Sequence, residues 1–300
     1  MPETRSVRTP TLEIAFRESG PADGSAVVLL HGFPYDVHAY DAIAATLADD
    51  GRRVIVPYMR GYGPTRFLEP TTLRSGQQGA LGADLLELLD ALHIDSATLV
   101  GYDWGGRAAC IVAALWPERA DGLVTVDGYN VQDIAAAVDP LPPLQERHFW
   151  YQHYFNAERG PAGLTRYRES LCRLLWEEWS PTWRFDDSTF AQTSSSFLNP
   201  DFVDVVIHSY RHRFGRVAGD SRYDDVELRL AAQPTIGVPT VVLYGADDGL
   251  GRPPVLGDPE GDIRQFTSLV DERIVAGVGH NLPQEAPAAV VAAVRALAVV

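Results

Sequence analysis

The sequence contains no lysine, because all 25 of its basic residues are arginine. This absence excludes enzymes that form a Schiff base with a lysine and enzymes that hold phosphate groups with a P-loop lysine. Cysteine is scarce as well: Cys110 and Cys172 are the only two, too few for a disulfide framework. We therefore expect both to be buried apolar side chains, and we expect the protein to be cytoplasmic, where thiols stay reduced.

Long apolar runs are also missing. No stretch of eighteen or more apolar residues occurs and the first ten residues contain no apolar segment, so we expect neither a transmembrane helix nor a secretory signal. Positive charge is in the minority: the net charge of −15 opposes binding to nucleic acid or to an anionic membrane. The expected partner is a small-molecule substrate, and the oligomeric state is left open, a homo-oligomer included.

Short apolar runs alternate with helical patterns in both end regions of the 300-residue chain. Such nearly continuous runs are typical of parallel strands that are covered on both faces. The predicted strands are Ala26–Leu30, Val54–Pro57, Thr98–Val100, Leu123–Val126, Thr240–Tyr244 and Arg273–Val275, preceded by a half-exposed strand at Thr11–Phe16. The alternation predicts an α/β fold with a mostly parallel central sheet flanked by helices.

One long region has helical segments rich in aromatic residues and arginine but no convincing buried strand. Proline-rich stretches at Asp139–Pro143 and Gln233–Pro239 suggest hinges near its two ends. We therefore predict a first core segment at residues 1–130, a helical cap at residues 131–236 and a second core segment at residues 237–300. The cap follows the sixth core strand and covers the carboxyl edge of the sheet, where clefts of such folds lie.

The most informative segment is Gly101-Tyr-Asp-Trp-Gly105, which joins a predicted strand to a predicted helix. Its glycines allow a sharp turn that lifts the side chain of Asp103 clear of the sheet. This is a nucleophile elbow in which a carboxylate replaces the usual serine hydroxyl. An ionised carboxylate can attack a saturated, electrophilic carbon and form an alkyl-enzyme ester. The alternative is that Asp103 only caps the helix.

Two further polar residues follow other predicted strands. Asp248 lies on the loop after Thr240–Tyr244, and His280 lies on the loop after Arg273–Val275. The chain order Asp103, Asp248, His280 is that of a nucleophile, an acid and a base. Asp127, after the strand Leu123–Val126, is a second candidate for the acid, which we rank below Asp248.

The segment His31-Gly-Phe-Pro34 directly follows the strand Ala26–Leu30. Such a loop can present the backbone N–H of Phe33 to the cleft beside the N–H of Trp104, and the two would form an oxyanion hole. For His31 we expect a ring that braces the loop rather than a catalytic role.

Together these residues resemble the α/β-hydrolase superfamily, and the aspartate narrows the resemblance to epoxide hydrolases and to haloalkane or haloacetate dehalogenases. The motifs that carry the resemblance are His31–Pro34, Arg60–Gly63, Gly101–Gly106, Gly245–Asp248 and Gly279–His280. The resemblance implies an α/β-hydrolase fold and a hydrolase that needs neither a cofactor nor a metal ion.

Epoxide hydrolases donate a proton to the opening ring from two tyrosines of the cap. Tyr151 resembles the first of these donors and Tyr210 the second, so the resemblance implies an epoxide as substrate. The neighbours Trp150, Gln152 and Tyr154 are expected to contact the substrate, although aromatic residues of this segment also suit packing between cap and core.

Other functions remain open at this stage. A haloalkane dehalogenase commonly has a polar residue where Phe33 stands, and a haloacetate dehalogenase has two arginines after its nucleophile. Arg107 matches the second arginine, but Trp104 occupies the place of the first. A third alternative is a ligand-binding protein on a hydrolase scaffold that has lost its activity. His208 and His212 have the spacing of zinc ligands, but the sequence offers no third ligand, so we expect no metal.

Overall fold

The computed structural model describes residues 3–251, 256 and 261–298. Within these residues, one sheet of nine strands is flanked by helices. The strands are β1 (Thr4–Arg8), β2 (Leu12–Ser19), β3 (Ala26–Leu30), β4 (Arg53–Pro57), β5 (Arg66–Phe67), β6 (Ala97–Gly101), β7 (Ala120–Val126), β8 (Thr240–Gly245) and β9 (Leu269–Val275). The α-helices are α1 (Asp41–Asp49), α2 (Gln78–Ala91), α3 (Asp103–Leu115), α4 (Pro143–His148), α5 (Trp150–Asn156), α6 (Arg159–Arg166), α7 (Arg168–Trp179), α8 (Asp187–Ser194), α9 (Phe202–Arg213), α10 (Asp224–Leu230), α11 (Leu282–Glu285) and α12 (Pro287–Leu297).

The sheet is parallel over most of its width. Its order is β1-β2-β4-β3-β6-β7-β8-β9, with β5 paired to β2 outside this path. Neighbours from β4 to β9 are parallel, whereas β1 and β4 both pair antiparallel with β2. Every residue of β3 and of β8 is buried. Because successive side chains point to opposite faces, both faces are covered there. The predicted α/β fold is thereby confirmed.

Helices cover the sheet in two groups. Helix α2 packs against α3, and α1 packs against α12. The contact between α2 and α3 is close because Gly82 has no side chain: a Cβ atom there would collide with Ile111 of α3. Apolar side chains of all four helices, among them Leu85 of α2 and Val290 of α12, belong to the single buried core.

The carboxyl ends of the parallel strands lie at one edge of the sheet. The predicted site residues of the core come directly after these strand ends. The loop with Phe33 follows β3, Asp103 follows β6, Asp127 follows β7, Asp248 follows β8 and His280 follows β9. Ligands of open α/β sheets bind beyond this edge. The topology therefore brings five separate chain segments to one place.

Seven α-helices of the described chain, α4 to α10, lie between β7 and β8. Since β7 is the sixth strand when the two-residue β5 is left out, the expected helical cap after the sixth core strand is present. Hydrogen bonds attach it to the core: the Trp176 indole N–H donates to the carbonyl oxygen of Pro34 over 2.9 Å, and Asn199 Nδ2 donates to that of Thr65 over 2.7 Å.

The boundaries 131–236 for the cap stay a proposal. Of the core segments 1–130 and 237–300, positions 1–2, 252–255, 257–260 and 299–300 lie outside the described residues. Among the helices that are described, none combines the length and the apolar character needed to cross a membrane.

Candidate active site

Asp103 occupies a sharp turn between β6 and α3. Its backbone has φ +50°, a left-handed conformation that is costly for residues other than glycine. A Cβ atom at Gly105 would collide with the carbonyl oxygen of Leu30, and one at Gly101 would collide with the backbone of Gly105. Glycine at both positions therefore lets the turn fold tightly against β3, and the turn holds the carboxylate of Asp103 above the sheet edge.

The loop after β3 contacts one oxygen of that carboxylate. The backbone N–H of Phe33 donates to Asp103 Oδ1 over 2.7 Å. A Cβ atom at Gly32 would collide with the Asp103 side chain, so glycine permits this approach. The buried ring of His31 braces the loop as expected: Nε2 accepts the Met59 N–H at 3.1 Å and Nδ1 donates to the Gly32 carbonyl at 3.1 Å. Burial lowers the pKa of His31, which favours the neutral form that this bonding requires.

His280 lies between Asp103 and a pair of acids. Its Nε2 is 3.9 Å from Asp103 Oδ2, and its Nδ1 is 2.8 Å from Asp248 Oδ2. Asp127 Oδ2 is 3.3 Å from the same Nδ1. The carbonyl oxygen of Trp179 in the cap accepts the backbone N–H of His280 at 3.1 Å. The structure therefore brings Asp103, Asp248 and His280 together and adds Asp127 as a second carboxylate on the imidazole.

These charges change the proton affinity of the imidazole. Burial by itself would lower the pKa of His280, but the adjacent Asp248, followed by Asp127 and Asp103, raises that pKa to about 10. Burial raises the pKa of Asp127, the charge of Asp248 raises it further, and only His280 opposes them. The acids around the imidazole therefore favour its cationic form, and Asp248 contributes most to this effect.

Asp127, Asp248 and His280 are also the one group in the described chain with spacing suited to a metal ion, since their ligand atoms lie within 4.8 Å of one another. A cation there would have to displace the Nδ1 proton that both carboxylates face. His208 uses both ring nitrogens elsewhere, accepting from the Gly76 N–H and donating to the Ala218 carbonyl.

A cavity of about 990 Å³ opens above Asp103 and His280 between core and cap. Tyr151 and Gln152, at the start of α5, line it from the cap side. Gln152 Nε2 donates to the phenol oxygen of Tyr151 over 3.1 Å, which leaves the phenol hydrogen available to a ligand. Burial raises the pKa of Tyr151 to about 12, so the phenol stays protonated.

Tyr210, on α9, lies directly behind this wall. Its ring centroid is 5.4 Å from that of Tyr151 and 5.6 Å from that of Phe33. Its hydroxyl is buried and has no hydrogen-bond partner among the described residues. Burial, with the charge of Asp103 added, raises the pKa of Tyr210 well above its ordinary value. The two phenols therefore lie together, with Tyr151 lining the cavity and Tyr210 packed behind it.

Four other predicted site residues do not line the cavity. Phe33 and Trp104 pack against each other next to it, with ring centroids 5.7 Å apart. The indole N–H of Trp150 instead donates to Glu178 over 2.8 Å, and Tyr154 points to α6, where Gly163 leaves room for its hydroxyl. The structure therefore does not bring Trp150 and Tyr154 to the place where substrate would bind.

Comparison with known proteins agrees with this arrangement. The family model described as alpha/beta hydrolase fold matches residues 25–287, which is most of the chain. The chain belongs to the α/β-hydrolase family. A solved structure from Klebsiella pneumoniae, named as a candidate epoxide hydrolase, is 45% identical with a TM-score of 0.95, and the match covers 99% of this chain and 97% of that one.

Two curated relatives of this α/β hydrolase have names that indicate different activities. Epoxide hydrolase A of Mycobacterium tuberculosis is 26% identical over 97% of this chain and 96% of its own length. A haloalkane dehalogenase of Mycobacterium marinum is 34% identical, but that match covers only 40% of either chain. The chain is therefore an α/β hydrolase similar to epoxide hydrolases.

The site of this α/β hydrolase contains residues to which sequence reasoning gave no role. The carbonyl oxygen of Trp179 accepts the backbone N–H groups of His280 and of Gly249, and the ring centroid of Trp179 is 5.2 Å from that of the imidazole. Arg213 lines the cavity one turn beyond Tyr210 on α9. The helical spacing from Tyr210 was the available signal for Arg213. No local pattern pointed to Trp179, because its contacts are to loops distant in sequence.

Proposed function

We propose that this α/β hydrolase is an epoxide hydrolase, which opens an oxirane to a vicinal diol through an ester on Asp103. The observation that carries the proposal is the environment of the Asp103 carboxylate. His280 Nε2 lies 3.9 Å from its Oδ2, and Tyr151 lines the same cavity from the cap. A carboxylate with a base on one side and protonated phenols on the other can take part in both halves of the reaction.

In the first half-reaction, Asp103 Oδ2 attacks one carbon of the ring, and the bond between that carbon and the ring oxygen breaks. The electron pair moves to the oxygen, which takes a proton from Tyr151, with Tyr210 as the second donor. Phe33 N–H meanwhile holds Oδ1, so that Oδ2 is the free oxygen of the carboxylate. The substrate enters between the core and the proposed cap, residues 131–236.

In the second half-reaction, a neutral His280 removes a proton from a water molecule, and the oxygen of that water attacks the ester carbon. The tetrahedral intermediate then breaks its bond to the diol oxygen, which restores the carboxylate of Asp103 and releases the diol, and the proton taken by His280 returns to the phenolate of Tyr151. Alkylation consumes the negative charge of Asp103, one of the charges that raise the pKa of His280. The pKa of the imidazole therefore falls once the ester has formed, which favours the neutral form that a base requires. Asp248 orients the ring, and the N–H groups of Phe33 and Trp104 stabilise the tetrahedral oxyanion.

The two phenols should be required for ring opening. Tyr151→Phe and Tyr210→Phe should each lower the rate of enzyme alkylation by styrene oxide by about 10- to 100-fold, and the double variant should lose considerably more. Tyr154→Phe is the matched control, because the hydroxyl of this cap tyrosine lies against Gly163 of α6, whereas the ring of Tyr210 packs against that of Tyr151. Stopped-flow fluorescence under single-turnover conditions measures the alkylation rate. Unchanged alkylation in the double variant would contradict the proposed proton donors.

The two acids on His280 should contribute unequally. Asp248→Asn should lower kcat by about 10²-fold or more, because the closer carboxylate orients the imidazole, whereas Asp127→Asn should cost about tenfold. Both changes remove negative charge that raises the pKa of His280. The rate of ester hydrolysis should therefore begin to increase at a lower pH than in the wild type. Asp247→Asn, an exposed neighbour, is the control. A larger loss for Asp127→Asn than for Asp248→Asn would exchange their roles.

A haloalkane dehalogenase is the second candidate, and one observation favours it. The indole N–H groups of Trp104 and Trp179 are both buried without an acceptor in the described part of the chain. Such groups could bind a leaving halide. The ring of Phe33 contacts both indoles, at 5.7 and 6.2 Å between centroids, and would have to leave room for the ion. Parallel assays with styrene oxide, 1-bromobutane and chloroacetate distinguish the activities by diol and halide release.

A further inference from the structure

Two arginines from different parts of the fold line the active-site cavity. Arg107 lies on the core helix α3, one turn after Asp103, and Arg213 is the last residue of the cap helix α9. Arg107 is only 6% exposed, and burial followed by the charge of Arg213 lowers its pKa to about 10. The two guanidinium groups therefore repel each other within one partly enclosed space.

In the part of the chain that the structure describes, neither guanidinium is paired with an acid. Among the described residues, no ion pair within 4.0 Å includes Arg107 or Arg213. Arg107 donates from Nε to the carbonyl oxygen of Asn130 over 3.3 Å, while its Nη1 is buried and lacks any acceptor in the same set of residues. A buried charge with an unused donor destabilises the fold. Its presence in the cavity wall is therefore better explained by binding of a ligand than by stability.

Other contacts hold the two side chains in place. The guanidinium carbon of Arg213 lies 5.0 Å from the ring centroid of Tyr210. With its amide turned so that the oxygen faces the arginine, Gln132 accepts from Arg213 Nη2 over 3.0 Å. Two acids of the cavity lining, Asp133 and Asp139, are exposed at its mouth, where water screens their charge.

The remaining acids of the lining already have partners. Glu146 accepts the Leu141 N–H and pairs with His153, and Asp127 and Asp248 both face His280. Beside His280, which Asp127 and Asp248 already face, the described lining of the cavity therefore contains two arginine cations and, beyond the carboxylate of Asp103, no acid free to neutralise them.

We propose that the substrate carries a carboxylate, which Arg107 and Arg213 bind while Asp103 attacks the epoxide ring. The inference rests on the proposed function for the ring chemistry, but the anion site stands on its own geometry. A guanidinium matches a carboxylate in shape and can donate two parallel hydrogen bonds to it. Nη1 of Arg107 then gains its missing acceptor, and the substrate supplies the charge that the protein lacks.

The test compares epoxy acids with their neutral amides. We expect 3-phenylglycidate, or a homologue with two further methylenes before the carboxylate, to have a kcat/KM roughly 10- to 100-fold above that of its amide. In Arg107→Met this preference should disappear, because the KM for the acid should rise more than the KM for the amide. Arg107→Lys should retain part of the preference, because it keeps the charge and loses the paired donors.

Two further measurements separate binding from structure. Arg107→Met should raise Tm by a few degrees, because it removes a buried charge without a partner, whereas a structural arginine would lower it. The thermal shift produced by 3-phenylpropionate, with its amide as control, measures anion binding without turnover. It should be present in the wild type and in Arg166→Gln, an exposed cap arginine away from the cavity, and absent in Arg107→Met.

The outcomes distinguish the two proposals. Equal use of acid and amide by the wild type, or an unchanged preference in Arg107→Met, would overturn the carboxylate site and leave epoxide hydrolysis intact. Binding of 3-phenylpropionate that depends on Arg107, together with no opening of any epoxide, would retain the anion site and overturn the proposed function. Halide release from chloroacetate in place of diol formation would also retain the anion site and overturn the proposed epoxide hydrolase function.

Discussion

His280→Gln should complete a single alkylation and then stop. Asp103 attacks without help from the imidazole, because a carboxylate is already ionised at neutral pH, but the ester needs a base to activate water. Glutamine can still occupy the space beside Asp248, yet it cannot accept the proton. We expect kcat to fall by about 10³-fold or more, with intact-protein mass spectrometry showing an increase equal to the mass of one epoxide.

His93→Gln provides the matched control. This exposed histidine precedes β6, at the opposite end of the strands from His280, so its replacement should leave kcat unchanged and no adduct should accumulate. Peptide mapping of the trapped species should locate the added mass on Asp103. Normal turnover in His280→Gln, or an adduct on another residue, would contradict the two-step scheme.

Local patterns predicted the central part of this molecule well. A buried parallel strand is a continuous apolar run, and the glycines around Asp103 are required by a turn that other residues could not form. Both signals lie within about ten residues of the chain. Chain order then assigned Asp248 and His280 to neighbouring strand ends, and the structure brings them to 2.8 Å from each other.

The edge of the sheet was less predictable. β2 was expected to be half-exposed, but Glu13 is the only exposed residue between Leu12 and Arg17. β1 pairs along one side of β2 and β4 along the other, and β5 adds a short pairing, so that β2 is enclosed. Neither β1 nor β5 was predicted, because a polar five-residue strand and a two-residue strand carry almost no periodic signal.

In the cap, the sequence pattern could not show which of two neighbouring tyrosines reaches the cavity. Tyr151 and Tyr154 stand three positions apart in one aromatic segment, yet Tyr151 lines the cavity and Tyr154 packs towards α6. The choice between them depends on how α5 rests on α6 and α9, which are long-range contacts. In the core, Asp127 and Asp248 both reach the imidazole of His280, although a single triad acid was expected.

Asp103→Asn should abolish turnover while preserving the fold. Asparagine adopts left-handed backbone conformations readily, so it should tolerate the φ of +50° at this turn, and its amide oxygen can still accept the Phe33 N–H. The neutral amide is a very poor nucleophile, and we expect kcat to fall by about 10⁴-fold or more with Tm nearly unchanged. Slow recovery of activity on storage, with a matching one-dalton mass increase, would report hydrolysis of the amide back to aspartate.

The source of the second diol oxygen separates this mechanism from direct attack by water. If Asp103 forms an ester, then in a single turnover in H₂¹⁸O the product takes its new oxygen from the carboxylate and remains unlabelled, while the label enters Asp103. The label should appear in the diol only from later cycles onward, and it should appear sooner on a protein that has already turned over in labelled water. Full labelling of the diol in the first cycle would mean that His280 activates water to attack the ring itself, and Asp103 would then act only as a neighbouring charge.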